Sequence, residues 1–189
     1  MSVQGSKLFV ISGPSGAGKG TLVTRVRERR SNLGLTVSAT TRAPRKGEVD
    51  GVNYFFLTRE EFDRRVANGE FVEWAEVHGN CYGTLVSEVQ SKLASGSSLI
   101  LEIDVQGALQ VKERFPEAVL IFIKPPSLEV LRERLVGRGT ETPETIELRM
   151  ANAADELALA DRYDAVVVND DLDRATDELV RVLDMHERI

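Results

Sequence analysis

The chain has 189 residues, of which 42% are hydrophobic and 29% charged, with a net charge of −6 and one cysteine, Cys81. The length suits one α/β domain with insertions and is short for two, and the acidic surplus argues against a nucleic acid polymer as partner. The longest apolar run, 118–123, is far below the roughly 20 residues that span a bilayer, so no membrane partner is expected, and an unpaired cysteine suits a reducing cytoplasm.

The first predicted elements are a strand at Leu8–Ile11, a glycine-rich loop and a helix over about Lys19–Arg30. The loop reads GPSGAGKGT and comprises Gly13, Pro14, Ser15, Gly16, Ala17, Gly18, Lys19, Gly20 and Thr21. Backbone N–H groups must wrap a polyphosphate closely, and glycine-rich sequence curls tightly enough to do so. Lys19 adds a mobile positive charge, and the helix N-terminus adds its dipole. This succession predicts a phosphate-binding loop.

The loop departs from the usual pattern at the position after the lysine. That position is normally Ser or Thr and a magnesium ligand, whereas this chain has Gly20. A magnesium ion would therefore take its hydroxyl ligand from Thr21, or be held mostly by water and phosphate. The sequence leaves both arrangements open.

From about Ser38 to Ser95 the pattern changes, after a weak strand at Leu35–Val37. Strand-like pieces rich in threonine and aromatic residues lie at 37–41, 52–56, 71–77 and 81–84. They surround one short helix, which Thr58 and Glu61 begin as a capping box and Gly69 ends. We interpret this segment as an α+β lobe inserted into a parallel core.

Within the lobe, the segment Ser38–Phe55 concentrates groups that bind anions. It places Arg42 and Arg45 three positions apart in extended or looped chain, with Tyr54 nearby. Two guanidinium groups beside a phenol suit a fork around a phosphate monoester. A solvated basic loop is the alternative, and this segment alone leaves both open.

The later strands, 99–103, 118–123 and 165–168, are apolar without alternation, which is typical of parallel strands covered on both faces. Helices are predicted at 128–135, from Thr142 or Pro143 to about 159, and at 172–187, with a turn at 137–143. The prediction is an α/β fold whose parallel sheet has helices on both faces. Asp104 follows the strand 99–103, at the position where a nucleotide-binding protein places an acid near magnesium. Asp104 is expected to act through metal-bound water or on the incoming nucleotide, and Glu102 is expected to have a less direct role.

Taken together, these motifs resemble the guanylate kinase family. The resemblance is carried by GPSGAGKGT, by SATTRAPRKGEVDGVNYF at 38–55, by Glu73, by YGT at 82–84, by EIDVQG at 102–107 and by ND at 169–170. It implies a P-loop NTPase fold in a single domain. The core would comprise about 1–37, 96–137 and 156–189, the GMP-binding lobe about 38–95 and a small lid about 138–155.

The resemblance implies phosphoryl transfer from ATP to GMP, and also to dGMP, with Mg²⁺ accompanying ATP. ATP would lie on the loop, with Asn169 near its adenine. The GMP-binding residues would be Ser38, Arg42, Arg45, Glu48, Tyr54, Glu73, Tyr82, Gly83, Thr84 and Asp104. The catalytic residues would be Lys19, Arg42, Arg138 and Arg149. Thr21 and Asp104 would serve the metal, Asp104 through water.

Two other functions remain candidates at this level. Guanylate kinase-like domains also occur as scaffold modules that bind phosphorylated peptides without turnover, but such a module has no need for Lys19. An adenylate kinase-like enzyme is favoured by GAGKGT, since that family also has Gly after the Lys, and is opposed by the 38–55 segment and Glu73. Arg132 and Arg134 suit either a direct role or a helix surface, and the sequence predicts no oligomeric state.

Overall fold

The computed structural model describes residues 5–77, 79–137, 139 and 142–188. In chain order its elements are β1 (Leu8–Ser12), α1 (Lys19–Arg29), β2 (Gly34–Leu35), β3 (Ala39–Thr40), β4 (Phe55–Phe56), α2 (Arg59–Ala67), β5 (Phe71–Val77), β6 (Asn80–Leu85), α3 (Val86–Ala94), β7 (Leu99–Glu102), α4 (Val105–Arg114), β8 (Val119–Lys124), α5 (Leu128–Gly137), α6 (Pro143–Leu157), β9 (Ala165–Val168) and α7 (Leu172–Glu187), with a short 3-10 helix at Ala160–Arg162. None of the helices in these ranges combines the length and the apolar character needed to cross a bilayer.

Five strands form the core sheet in the order β2-β7-β1-β8-β9, and every neighbouring pair is parallel. This confirms the parallel sheet predicted from the continuous apolar runs. The weak second strand differs, because the sequence predicts it at 35–37 and the structure has it at Gly34–Leu35. The N–H of Val37 is bound by the Glu88 carboxylate at 3.0 Å, so the chain leaves the sheet before that residue.

Helices cover both faces of this sheet, since side chains along each strand point alternately to one face and the other. Phe9 and Ile121 pack in one buried cluster with residues of α1 and α7. Val10 and Leu120 pack in a second cluster with residues of α3 and α4. Both faces are therefore apolar, which explains why the strands read as continuous apolar runs.

Two helices, α3 and α4, have no counterpart in the sequence prediction. Helix α3 lies within 38–95, where the sequence predicts a single helix, and its Val89 packs in a core cluster. It begins after Leu85 without a side-chain cap, so it carries no start signal. Helix α4 begins after Asp104, whose carboxylate accepts a hydrogen bond from the Gly107 N–H at 2.7 Å. Asp104 suits both a helix cap and nucleotide chemistry, so its residue type alone does not indicate this helix start.

The lobe is built on a second sheet, with four strands in the order β4-β3-β6-β5. Strands β3 and β4 have two residues each, fewer than the sequence predicts for 37–41 and 52–56. Between them, Asn53 Oδ1 accepts from the Val49 N–H and Asp50 Oδ1 from the Phe56 N–H, each at 2.8 Å. These side chains satisfy backbone donors locally, so the segment forms a turn where the sequence suggests a strand.

The predicted helix starts and stop are confirmed where the structure shows their caps. Thr58 accepts a hydrogen bond from the Glu61 N–H at 3.1 Å, and Thr142 accepts one from the Thr145 N–H at 3.3 Å. Gly69, with φ 68°, follows the last turn of α2 in the left-handed conformation typical of a helix stop. These capping signals are local, which is why they can be read from sequence.

Cys81 is fully buried in the lobe core, where it packs with Phe62 and Phe71. Burial raises the pKa of its thiol, and the thiolate is the reactive form. We therefore expect a thiol reagent such as DTNB to modify Cys81 at least about 100-fold more slowly in the native protein than in urea. The rate of thionitrobenzoate release measures this, and comparable rates in both conditions would contradict the buried position.

Candidate active site

The glycine-rich loop lies between β1 and α1, beyond the carboxyl-terminal ends of the core strands. Gly13 has φ 138°, and a Cβ on it would lie 2.2 Å from the carbonyl oxygen of Ile123. Gly18 has φ 90°, and its Cβ would lie 2.4 Å from Asn169 Nδ2. Both positions therefore require glycine, and packing on the ends of β8 and β9 fixes the shape of the loop.

Lys19 is the first residue of α1, and its side chain turns back over the loop. Its Nζ donates to the carbonyl oxygens of Gly13 at 2.5 Å and Pro14 at 3.1 Å. A cavity of about 340 Å³ lies here, lined by Ser15, Gly16, Gly18, Lys19, Gly20, Thr21 and Glu102. A cation and a helix N-terminus therefore face a space that suits a phosphate chain.

Glu102, at the end of β7, is the acid that faces this cavity. Its carboxylate oxygens lie 3.6 and 3.7 Å from the position of a Cβ on Gly20. Burial raises the pKa of Glu102, and the charge of Lys19 opposes this shift. The sequence expects Asp104 to be the more direct acid, but Asp104 does not line this cavity and caps α4 instead. Glu102 is thus the acid in contact with the loop.

Asn169 follows β9 and is buried. Its Nδ2 donates to the carbonyl oxygen of Ala17 at 2.8 Å. Its backbone carbonyl oxygen accepts a hydrogen bond from Arg134 Nη2 at 2.8 Å. A second cavity, of about 510 Å³, is lined by Gly16, Gly18, Thr21, Arg134, Gly137, Asn169, Asp170 and Leu172. The side chain of Asn169 braces the loop, and the adjoining cavity has room for a purine base.

Arginines of α5 and α6 differ in what they contact. Arg149 on α6 donates to Ser15 Oγ at 2.5 Å, which brings it to the glycine-rich loop. Arg132 forms an ion pair with Glu147, so it links α5 to α6. Arg134, by contrast, lines the larger cavity. Arg138 lies outside the described residues.

In the lobe, Arg42 is the centre of a cluster of charged and aromatic side chains, and its side chain is only 15% exposed. Its Nη2 donates to both carboxylate oxygens of Glu48, at 2.9 and 3.0 Å, and its guanidinium lies 5.5 Å from the Tyr54 ring centre. The rings of Tyr54 and Tyr82 meet edge to face at 6.2 Å. The Arg45 N–H donates to Glu48 at 2.7 Å. Arg42, Glu48 and Tyr54 are therefore held together, while residues 43–47 and 49–53 of the same segment are exposed.

Charge couples the members of this cluster. The hydrogen bond from Arg42 to Glu48 lowers the pKa of Glu48, helped by the Arg45 N–H. The same bond raises the pKa of Arg42, and Tyr82 contributes in the same direction. Arg42 and Glu48 are thus fixed as charged partners at neutral pH.

A half-buried carboxylate, Glu73, lies between the lobe and the core. Glu73 on β5 pairs in register with Thr84 on β6, and Gly83 allows the strands to approach, since a Cβ there would lie 2.8 Å from the Glu73 carbonyl oxygen. The Glu73 carboxylate reaches to 3.6 Å from the position of a Cβ on Gly107 in α4. Burial raises the pKa of Glu73, while Thr84 opposes the shift and the charge of Asp104 adds to it. Ser38 is half-buried and immediately precedes β3. Strand β3 pairs with β6 on the side opposite to β5, so Ser38 belongs to the same sheet as Glu73 and Thr84.

A sequence model of the guanylate kinase family matches residues 5–186. This chain belongs to the guanylate kinase family. A guanylate kinase of Gloeobacter violaceus is 57% identical over 178 residues, which make up 94% of this chain and 87% of that protein. One of Halalkalibacterium halodurans is 53% identical over 176 residues, 93% of this chain and 86% of that protein. The crystal structure of guanylate kinase from Anaplasma phagocytophilum matches with a TM-score of 0.73 at 36% identity, covering 98% of this chain and 88% of that one.

Membership in the guanylate kinase family confirms the resemblance, the P-loop NTPase fold class and the assignment to nucleoside monophosphate kinases. Two contacts in the site are not predicted from the sequence. One is the contact of Glu102 with the loop, and the other is the contact of Arg134 with the Asn169 carbonyl. Each joins positions far apart in the chain, so neither left a local signal.

Proposed function

We propose that this member of the guanylate kinase family transfers the γ-phosphoryl group of ATP to GMP, giving ADP and GDP, and that it also accepts dGMP. The observation that carries the proposal is that one chain presents two separate groups of residues suited to nucleotides. The loop with Lys19 would hold a polyphosphate, and the lobe would hold a phosphate monoester at Arg42 and a base at Glu73, so each is a candidate half-site. A phosphoryl donor and an acceptor need such a pair of half-sites.

For the acceptor, we assign the GMP phosphate to Arg42, Arg45, Tyr54 and Tyr82. Arg42 gives its Nη2 to Glu48 and one Nη1–H to the Ala43 carbonyl at 2.8 Å. The remaining N–H donors of Arg42, together with the Tyr82 hydroxyl that interacts with it, would reach a phosphate. Glu48 orients Arg42 in this arrangement, because a carboxylate in direct contact with a phosphate would repel it.

We assign the guanine base to Ser38, Glu73 and Thr84. Guanine presents adjacent N1–H and N2–H donors, and one carboxylate accepts both, whereas adenine has no such pair. A site built to make these bonds leaves its carboxylate unpaired with the wrong base, which gives strong discrimination. Gly83 serves by letting Glu73 and Thr84 approach each other, and Asp104 lies near the same carboxylate.

For the donor, we assign the ATP phosphates to the loop residues 13–21, with the adenine in the cavity beside Asn169. Lys19, Arg149 and Arg138 would neutralise charge on the transferring group together with Arg42. A nucleotide phosphate is already an anion near neutral pH, so no general base is required. The protein mainly aligns the acceptor and excludes water.

Mg²⁺ fits the loop cavity. Thr21 and Glu102 supply oxygen donors there, and oxygen is what this ion prefers. Among the described residues, no group of three or more His, Cys, Asp or Glu side chains could hold a metal by itself. The ion would therefore be held mainly by ATP phosphates and water, with Thr21 or Glu102 as protein ligand and Asp104 acting through water. Bound there, Mg²⁺ would neutralise charge on the β- and γ-phosphates.

The proposal is tested by ADP release from ATP with GMP, dGMP, AMP, CMP, UMP or a phosphopeptide supplied in turn. We expect turnover with GMP and dGMP, and GMP to exceed AMP in kcat/KM by about 10⁴-fold, the discrimination typical of a hydrogen-bonded site. Turnover with AMP but not GMP would favour the adenylate kinase-like function. Absence of turnover with every acceptor, combined with phosphopeptide binding, would favour the scaffold function.

We also propose that the reaction takes place in the cytoplasm. The single cysteine is buried as a free thiol, which suits a reducing compartment.

A further inference from the structure

Helix α4 contacts the lobe at both of its ends. At its N-terminal end, the position of a Cβ on Gly107 lies 3.6 Å from Glu73 Oε2. At its C-terminal end, Arg114 Nη1 donates to the carbonyl oxygen of Gly69 at 2.8 Å and to that of Phe71. Strand β5 therefore lies against helix α4 at Glu73 and is hydrogen-bonded to the same helix at the backbone where the strand begins.

The backbone that Arg114 binds is the irregular part of β5. The pairing of β5 with β6 shifts register between Phe71 and Glu73, so the ladder is interrupted there. Gly69, with φ 68°, forms the turn that leads from α2 into this strand. Phe71 is buried at this irregular point, and Arg114 supplies its carbonyl oxygen with a hydrogen-bond donor from outside the sheet.

The register at this point decides which way Glu73 faces. Successive side chains of a strand point to opposite faces, so a slip of one residue would exchange the positions of Glu73 and Trp74. In the structure Trp74 is 43% exposed and its ring meets that of Phe62, while Glu73 lies at the lobe–core boundary. Holding Phe71 in place therefore holds Glu73 in place.

We propose that Arg114 is a positioning residue for Glu73 and thereby sets the preference for guanine. The inference rests on the proposed function, in which Glu73 accepts the N1–H and N2–H of guanine. Arg114 does not touch the nucleotide. It fixes the backbone two residues before Glu73, from a helix whose other end contacts the Glu73 carboxylate.

The test compares GMP with IMP as acceptors, because IMP keeps N1–H and lacks the 2-amino group. Arg114→Met keeps the length of the side chain and loses the donors. We expect the ratio of kcat/KM for GMP to that for IMP to fall about tenfold, chiefly through a higher KM for GMP, with KM for ATP within about twofold of wild type. A residue needed only for general stability would lower kcat with both acceptors and leave that ratio unchanged.

Lys112→Met is the matched control. Lys112 is on the same helix, but it donates to the Ala118 carbonyl at 2.7 Å and pairs with Asp164 at 3.0 Å, on the core side. Its ratio of GMP to IMP is expected to match wild type. If Arg114→Met melts below the assay temperature, Arg114→Lys takes its place, since it keeps the charge and changes the donor geometry. Its ratio is expected to fall at least about threefold.

An unchanged ratio in the folded Arg114 variant overturns the inference, and so does an equal fall in the Lys112 variant. Either result leaves the proposed function intact as long as the wild type phosphorylates GMP and prefers it to IMP. A wild type without GMP turnover would overturn the proposed function, and this inference with it.

Discussion

Replacing Lys19 with alanine should lower kcat by about 10³-fold, in line with the loss of one charged group that stabilises a transferring phosphoryl. The Lys19 Nζ now binds the carbonyl oxygens of Gly13 and Pro14, so the loss also relaxes the loop and should weaken ATP binding. GMP binding is expected to change by less than about threefold, because its proposed phosphate and base contacts are in the lobe, whereas the Lys19 contacts with Gly13 and Pro14 are in the loop.

Coupled measurement of ADP release gives kcat, and isothermal titration gives the GMP affinity without ATP. Lys92→Ala is the control for loss of a lysine, since Lys92 on α3 binds the Leu35 carbonyl and pairs with Glu88, away from the loop. Its kcat should stay near that of wild type. A drop of more than about tenfold in GMP affinity for the Lys19 variant would show that the two half-sites are not separate.

Features encoded by local pattern could be predicted from the sequence. The parallel sheet follows from strands with apolar side chains on both faces, and the loop follows from glycines at 13, 16 and 18, all with positive φ in the structure. Thr58, Thr142 and Gly69 mark helix ends through bonds that span only a few residues. Such signals depend on neighbours in the chain and hardly at all on the fold.

Features that depend on the approach of distant segments could not be predicted. Glu102 and Asp104 are two positions apart in the chain, and only the path of the chain after β7 decides that the first faces the loop and the second caps α4. Helix α3 has no cap to announce it. Arg114 binds two backbone carbonyl oxygens, and backbone acceptors are present at every residue, so no sequence pattern indicates this contact.

Replacing Glu73 with glutamine should not destabilise the protein at neutral pH. Burial raises the pKa of Glu73 in the folded state, so its ionised form opposes folding once the pH exceeds its unfolded pKa. Between the unfolded pKa and the raised folded pKa, the folded state binds more protons, and stability falls as pH rises. In Glu73→Gln that contribution is absent. Thermal melts over this pH range should show a shallower decline for the variant, with an equal or higher Tm at pH 7.

The same change should nearly abolish the use of GMP. Two hydrogen bonds to a charged acceptor contribute about 1.5–3 kcal/mol each, so kcat/KM for GMP should fall roughly 10² to 10⁴-fold. IMP makes only one of these bonds, so its kcat/KM should fall less, and the preference for GMP over IMP should fall by about 10²-fold or less.

Glu76→Gln is the control, because Glu76 is on the same strand, faces the other side and pairs with Arg59 at 3.0 Å. A Glu73 variant that keeps the wild-type preference would mean that another group reads the base. A less active but more stable variant would show that this carboxylate is kept half-buried for recognition, at the expense of folding free energy.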